Sequence, residues 1–174
     1  GALGFLHAFD SLYMVTMTGL YRCQDTNGDD SYDKFELLKK LRMGYEHSAH
    51  NIIKTEDGEG LYLVSGNYGR IPKDVPSLQP PVWQKDSLLE SMPDQMGHAV
   101  SIKVPAGWVS RISPDGSKWT MISSGYRNPV DLAINREGGQ FYGQKPVTIG
   151  MWHDDTERLS TDLNHHGLVG RGPL

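Results

Sequence analysis

Leu12-Tyr13-Met14-Val15 recurs as Leu61-Tyr62-Leu63-Val64, and the reading of that repeat decides the fold. Tyr and the β-branched Val suit a pleated, half-buried surface. Working outward, Trp108-Val109-Ser110-Arg111-Ile112 is another short strand. It ends in Pro114-Asp115-Gly116 and is followed by Trp119-Thr120-Met121-Ile122. Asp57-Gly58 and Gly138-Gly139 punctuate comparable places. A polar or His-containing segment precedes each unit: His7-Ala8-Phe9, His50-Asn51-Ile52-Ile53, His98-Ala99-Val100 and Arg127-Asn128-Pro129. Short strands with regular turn signals predict an all-β sandwich, barrel or propeller. A unit of roughly 40 to 50 residues favours the blades of a β-propeller. The residues ahead of the inner strands then converge at one end of a central channel.

Composition bounds the function. A chain of 174 residues can bury a core and usually makes one domain. The net charge of −4 argues against nucleic acid and anionic membrane surfaces as partners. No run of about 18 apolar residues exists, so no transmembrane segment is expected. The single Cys23 excludes an internal disulfide and a CxxCH haem attachment site. Glycine at 20 and proline at 10 suit tight turns between short strands. Residues 32–41, with Phe35, Leu37, Leu38 and Leu41 apolar, read either as a short helix or as a strand with Phe35 and Leu37 facing inward. Pro72 to Pro81 holds four prolines and reads as an extended surface excursion.

Three segments carry candidate chemistry. In Arg127-Asn128-Pro129 the proline biases Asn128 towards an extended backbone and holds both polar side chains at the mouth of a strand. A planar guanidinium there can grip an anionic or carbonyl-rich ligand with two parallel hydrogen bonds. The alternative is an ion pair with a neighbouring strand.

The second segment runs from Asp25 to Glu36. Asp25, Asn27, Asp29 and Asp33 fall at loop positions one, three, five and nine, Ser31 lies between, and Glu36 is at twelve. That spacing matches a Ca2+ loop, in which a tight turn aims alternate oxygens at a hard cation. The usual glycine at position six is Asp30 here, which would need a left-handed backbone. The alternative is a solvated acidic turn, since turns also demand Asp, Asn and Gly.

The third is Glu46-His47-Ser48-Ala49-His50-Asn51 with His98. A neutral imidazole at a channel mouth can accept a proton from a substrate hydroxyl. Glu46 is a poor partner for His47, because adjacent strand residues point to opposite faces. The alternative for His50 and His98 is a repeated structural role, bonding backbone between blades.

Taken in order, Ala8-Phe9-Asp10-Ser11-Leu12-Tyr13, Gly19-Leu20-Tyr21-Arg22, the acidic loop, Glu46 to His50, Leu61 to Asn67, Gly97-His98-Ala99-Val100, Pro105-Ala106-Gly107-Trp108, Pro114-Asp115-Gly116 and Gly125 to Ala133 resemble a known group. The chain is similar to the β-propeller region of bacterial membrane-bound or exported dehydrogenase-like proteins, often fused to a haem c domain. These belong with the glucose/sorbosone dehydrogenases, whose best-known members use pyrroloquinoline quinone (PQQ).

The resemblance covers residues 1–142 and leaves 143–174 as a divergent C-terminal segment. It implies that His47 abstracts the proton of a sugar hydroxyl. Arg127 and Asn128 would contact the quinone, with His50, His98 and Asn67 beside them. Asp25, Asn27, Asp29, Ser31, Asp33 and Glu36 would hold Ca2+. It also implies a periplasmic or extracellular location and a cytochrome c-type electron acceptor on another polypeptide.

The sequence departs from that pattern in two places. Ser65-Gly66-Asn67 stands where the sugar dehydrogenases carry an Asp that orients the catalytic His, and His50-Asn51 replaces a Gly-Arg. Asn67 can orient an imidazole but cannot stabilise imidazolium with a charge, and loss of such a carboxylate typically costs several powers of ten in rate. A non-catalytic propeller that binds carbohydrate or a protein partner is therefore the second expectation. A calcium-dependent lactonase ranks last, because no set of carboxylate and amide ligands stands ahead of the strands.

Length adds a constraint. A six-bladed propeller needs roughly 250 residues, so this chain is expected to hold about three to four blades. An incomplete set leaves an apolar blade face uncovered. The expectation is a fragment of a larger propeller; the alternatives are pairing with another copy or capping by the C-terminal segment.

Overall fold

The computed structural model describes residues 2–42, 44, 47–78, 107–124, 126, 128–135, 148–153 and 158–162. The fold is all-β, with no helix among the described residues. Four strands, β1 (Ala2–Ala8), β2 (Ser11–Thr16), β3 (Gly19–Gln24) and β4 (Lys34–Lys40), form an antiparallel meander in chain order. Strands β5 (Ala49–Lys54), β6 (Leu61–Ser65), β7 (Trp108–Ile112) and β8 (Trp119–Ser124) form a second. Strands β9 (Pro129–Asn135), β10 (Thr148–His153) and β11 (Arg158–Asp162) make a three-stranded sheet in the order β11-β10-β9. Two of its strands thus come from residues 143–174, β10 pairing antiparallel with β9 and β11 with β10.

The repeated tetrapeptides take equivalent places, as second strands of their meanders. They differ in burial. In β2 only Ser11, Tyr13 and Val15 are buried, alternating with half-buried neighbours. In β6 every residue is buried. Strict alternation marks a sheet covered on one face, and a continuous apolar run marks one covered on both. The second meander is indeed the middle layer. Leu61 and Leu63 join Tyr13, Val15, Leu20, Ile52, Trp108 and Ile112 in the core shared with the first meander. Tyr62 and Val64 join Val109, Ile122, Tyr126 and Leu132 in the core shared with β9. Each fully buried aliphatic side chain stabilises this stack by roughly 1.5–3 kcal/mol.

The first strands of the three sheets lie side by side, β1 beside β5 and β5 beside β9. Gly4 makes the first approach possible, since a Cβ there would sit 2.6 Å from the His50 carbonyl oxygen. Polar ties reinforce the stack at its outer side. The Tyr13 hydroxyl donates to the Pro114 carbonyl at 2.7 Å, joining β2 to the turn between β7 and β8. Gly116, at φ +72°, lets that turn sit on Leu38 of β4.

Residues 32–41 resolve as strand, not helix, since Lys34–Lys40 pairs along β3. Phe35 and Leu37 do not face inward. They are 65 % and 46 % exposed, and Leu38 supplies the contact with the core instead. The turn that joins β1 to β2 holds Phe9 and Asp10 at φ 52° and 49°, the left-handed backbone that two-residue hairpins use. Phe9 is bulky for that region, and its ring is held edge-on to Tyr13 and under the Lys54 ammonium. Beyond β6 the chain returns as an extended Pro76–Leu78 segment whose backbone bonds Met121 on the outer edge of β8. That covers an edge which would otherwise present unpaired donors and acceptors. Pro80 and Pro81 lie outside the described residues.

Candidate functional site

His47 and Ser48 stand just ahead of β5, and Asn128 just ahead of β9, so both are at the same end of the stacked sheets. The turn after β6 binds them together. The Gly66 N–H donates to the Ser48 carbonyl at 2.8 Å, and the Tyr68 N–H to the His47 carbonyl at 2.8 Å. Gly66 is required by close approach: a Cβ there would lie 2.7 Å from the His47 oxygen and 2.9 Å from Asn128 Oδ1. His47 and Asn128 therefore flank one glycine.

The imidazole of His47 is buried, at 4 % exposed, and stacks on the Tyr68 ring with centroids 5.0 Å apart. Its Nδ1 donates to Asn67 Oδ1 at 2.8 Å. A neutral ring that donates from Nδ1 carries its lone pair on Nε2, the atom a general base uses. Asn67 thus orients the ring, and does so as a neutral amide. His50 takes a different part. Its Nε2 donates to Asn128 Oδ1 at 2.7 Å, and Asn51 donates through Nδ2 to Asp131. These two bonds tie β5 to β9; the alternative weighed for His50 was a bond to backbone. Arg127, His98 and Glu46 lie outside the described residues.

Tyr68 is a site residue that the sequence reading did not include. Gly66-Asn67-Tyr68-Gly69 carries a visible signal nonetheless, because two glycines three apart mark a tight turn. The turn is locked from below by Trp108, whose Nε1 donates to the Gly69 carbonyl at 2.9 Å.

The acidic loop is elsewhere. It precedes β4, whereas His47 follows it, so the two lie at opposite ends of a strand about 20 Å long. Asp30 adopts φ 65°, as its place at loop position six requires. The carboxylates close the loop on itself. Asp25 accepts from the N–H groups of Asn27, Gly28 and Asp30 at 3.2, 2.7 and 2.9 Å. Asp29 accepts from the Ser31 N–H at 2.9 Å, and Asn27 from the Asp29 N–H at 3.0 Å. Asp33 accepts from Thr26, whose hydroxyl and N–H hold its carboxyl below the usual carboxylate range. Glu36 turns to Arg22 at 2.6 Å, away from position twelve of a calcium loop. Among the described residues no three acidic, His or Cys side chains converge as a metal-binding group.

The quinone implied by the resemblance is a flat tricarboxylate. The described part of the His47 corner offers it amides and imidazoles and no cation. The cation expected to face it is Arg127.

No family model, no curated protein and no solved structure matches this chain. No helix of the described residues is long and apolar enough to cross a membrane.

Proposed function

We propose that the protein is a β-propeller that binds a carbohydrate hydroxyl at the corner formed by the starts of β5 and β9, with His47 as its proton acceptor. The observation that carries this reading is the His47 Nδ1–Asn67 bond of 2.8 Å, which fixes the ring so that Nε2 is the basic nitrogen. Propeller architecture is favoured by three antiparallel meanders in chain order whose first strands are consecutive neighbours. The dehydrogenase form of the proposal adds pyrroloquinoline quinone, with Arg127 and Asn128 as contacts, an external cytochrome c-type acceptor and a periplasmic or extracellular setting. Reconstitution with quinone and calcium, followed by dye reduction with aldoses, tests it. Turnover in the wild type that disappears in His47→Ala is expected; equal rates in both would refute it.

One observation favours the second reading, a propeller that binds carbohydrate without turnover. The residue that bonds His47 Nδ1 is a neutral amide, where a catalytic His of this kind is usually backed by a carboxylate. Saturable glycan binding with no dye reduction would select that reading.

The calcium proposal assigns Ca2+ to Asp25, Asn27, Asp29, Ser31 and Asp33, with Glu36 kept in its ion pair. It is supported by the spacing and by the positive φ of Asp30. Binding exchanges the loop's internal hydrogen bonds for oxygen–cation contacts. A rise in Tm with calcium over chelator is expected, and an unchanged Tm would remove the site.

A further inference from the structure

We infer that the chain carries a second site, for a small ligand bearing a phosphate or sulfate group, in the pocket between the end of β4 and the segment that follows the Gly66–Gly69 turn. The pocket measures about 390 Å3 and is lined by Lys40, Arg42, Arg70 and Lys73 over Leu41 and Ile71. Four cations are thus gathered on one concavity of a chain whose net charge is −4.

All four cations are exposed, and two features mark them as a binding surface. First, the cations are held together by the fold: the Arg70 N–H donates to the Arg42 carbonyl at 3.1 Å, clamping the two arginine backbones side by side. Second, none of the four side chains forms an ion pair or hydrogen bond among the described residues. The one carboxylate on the wall, Asp74, is taken by Lys39, which lies outside the pocket lining. Four like charges around one cavity repel one another, and a multiply charged anion relieves that repulsion.

The chemistry points to tetrahedral oxyanions. Arginine forks bind phosphate and sulfate oxygens in pairs, and the lysines add point charge. The volume falls within the range of small-ligand pockets and exceeds a bare anion, while buried Leu41 and half-buried Ile71 offer apolar surface to the body that bears it. An extended polyanion such as nucleic acid fits poorly, since the chain as a whole is acidic, with a net charge of −4.

Calorimetric titration at constant ionic strength tests the site, with inorganic phosphate and sulfate in separate arms. Saturable one-site binding is expected, and the stronger arm names the ester class. Arg42→Gln/Arg70→Gln should weaken it at least about tenfold, since it removes both forks. Lys118→Gln, on the exposed turn between β7 and β8, should leave affinity unchanged. Arg42→Lys/Arg70→Lys keeps the charge and should retain weaker binding, which controls for folding. Failure of both anions to saturate, or equal affinity in the glutamine double variant, would overturn the site. His47→Ala should bind as the wild type does, so this outcome is independent of the carbohydrate proposal.

Discussion

At the scale of single residues, the account turns on what stands behind His47. Asn67 fixes the ring but contributes no charge, so Asn67→Asp is the informative change. If the corner is a sugar dehydrogenase site, a carboxylate there stabilises imidazolium in the transition state and should raise dye-reduction turnover at least about tenfold. No increase, in a variant of unchanged Tm, would favour the binding-only reading. Gly66→Ala has the opposite sign. Its methyl group would press on the His47 carbonyl and on Asn128, so both positions must shift. Lost ligand binding is expected, read by titration. Tyr62 gives a pH signature. Burial, reinforced by the nearby Glu56 charge, pushes its hydroxyl up to about 12, from 10.0 in an unfolded chain. Below pH 10 both states keep the proton and stability is unaffected. As pH rises from 10 towards 12 only the unfolded state ionises, so the fold should lose on the order of 2 to 3 kcal/mol at the alkaline end. Denaturation curves of Tyr62→Phe should lack that alkaline limb.

At the scale of elements, the strands were legible where turn chemistry and repeats reinforced each other. Leu12–Val15, Leu61–Val64, Trp108–Ile112 and Trp119–Ile122 all fall within strands, bounded by the turns that Asp57-Gly58 and Pro114-Asp115-Gly116 announced. Strand β4 was less legible. Its apolar residues fit a helix and a strand equally, and period alone does not say which face meets the core. Pairing with β3 decides it: Phe35 falls opposite Cys23 and Leu37 opposite Tyr21, on the face turned from the second meander. Phe35→Ser and Leu37→Ser should therefore cost within about 0.5 kcal/mol each in chemical denaturation. Trp108→Ala, in the core beneath the Gly66–Gly69 turn, should cost about 3–5 kcal/mol. A large loss from the β4 pair would contradict the assigned register. In the acidic loop, spacing alone does not reveal which contacts its last residue makes. Position twelve fell on a strand residue, and cross-strand pairing with Arg22 claimed Glu36.

At the scale of the whole molecule, the stack of sheets makes the candidate site. His47 and Asn128 are far apart in sequence, and nothing local to either predicts that one glycine separates them. The reading of the repeat expected residues ahead of the inner strands to gather at one end; His47 and Asn128 both approach Gly66, whereas His7 lies near the end of β1 and His50 within β5. It did not foresee the basic pocket. Lys40 and Arg42 stand at and just beyond the end of β4, and Arg70 and Lys73 in the segment after β6, with no shared pattern, so only the approach of those segments reveals the cluster. The most direct test of the central claim is the imidazole 15N spectrum of the histidines during titration with an aldose. The account predicts that His47 is protonated at Nδ1, and that its Nε2 resonance shifts saturably while exposed His7 stays still. An Nε2-protonated His47, or a His47 resonance indifferent to sugar, would contradict it.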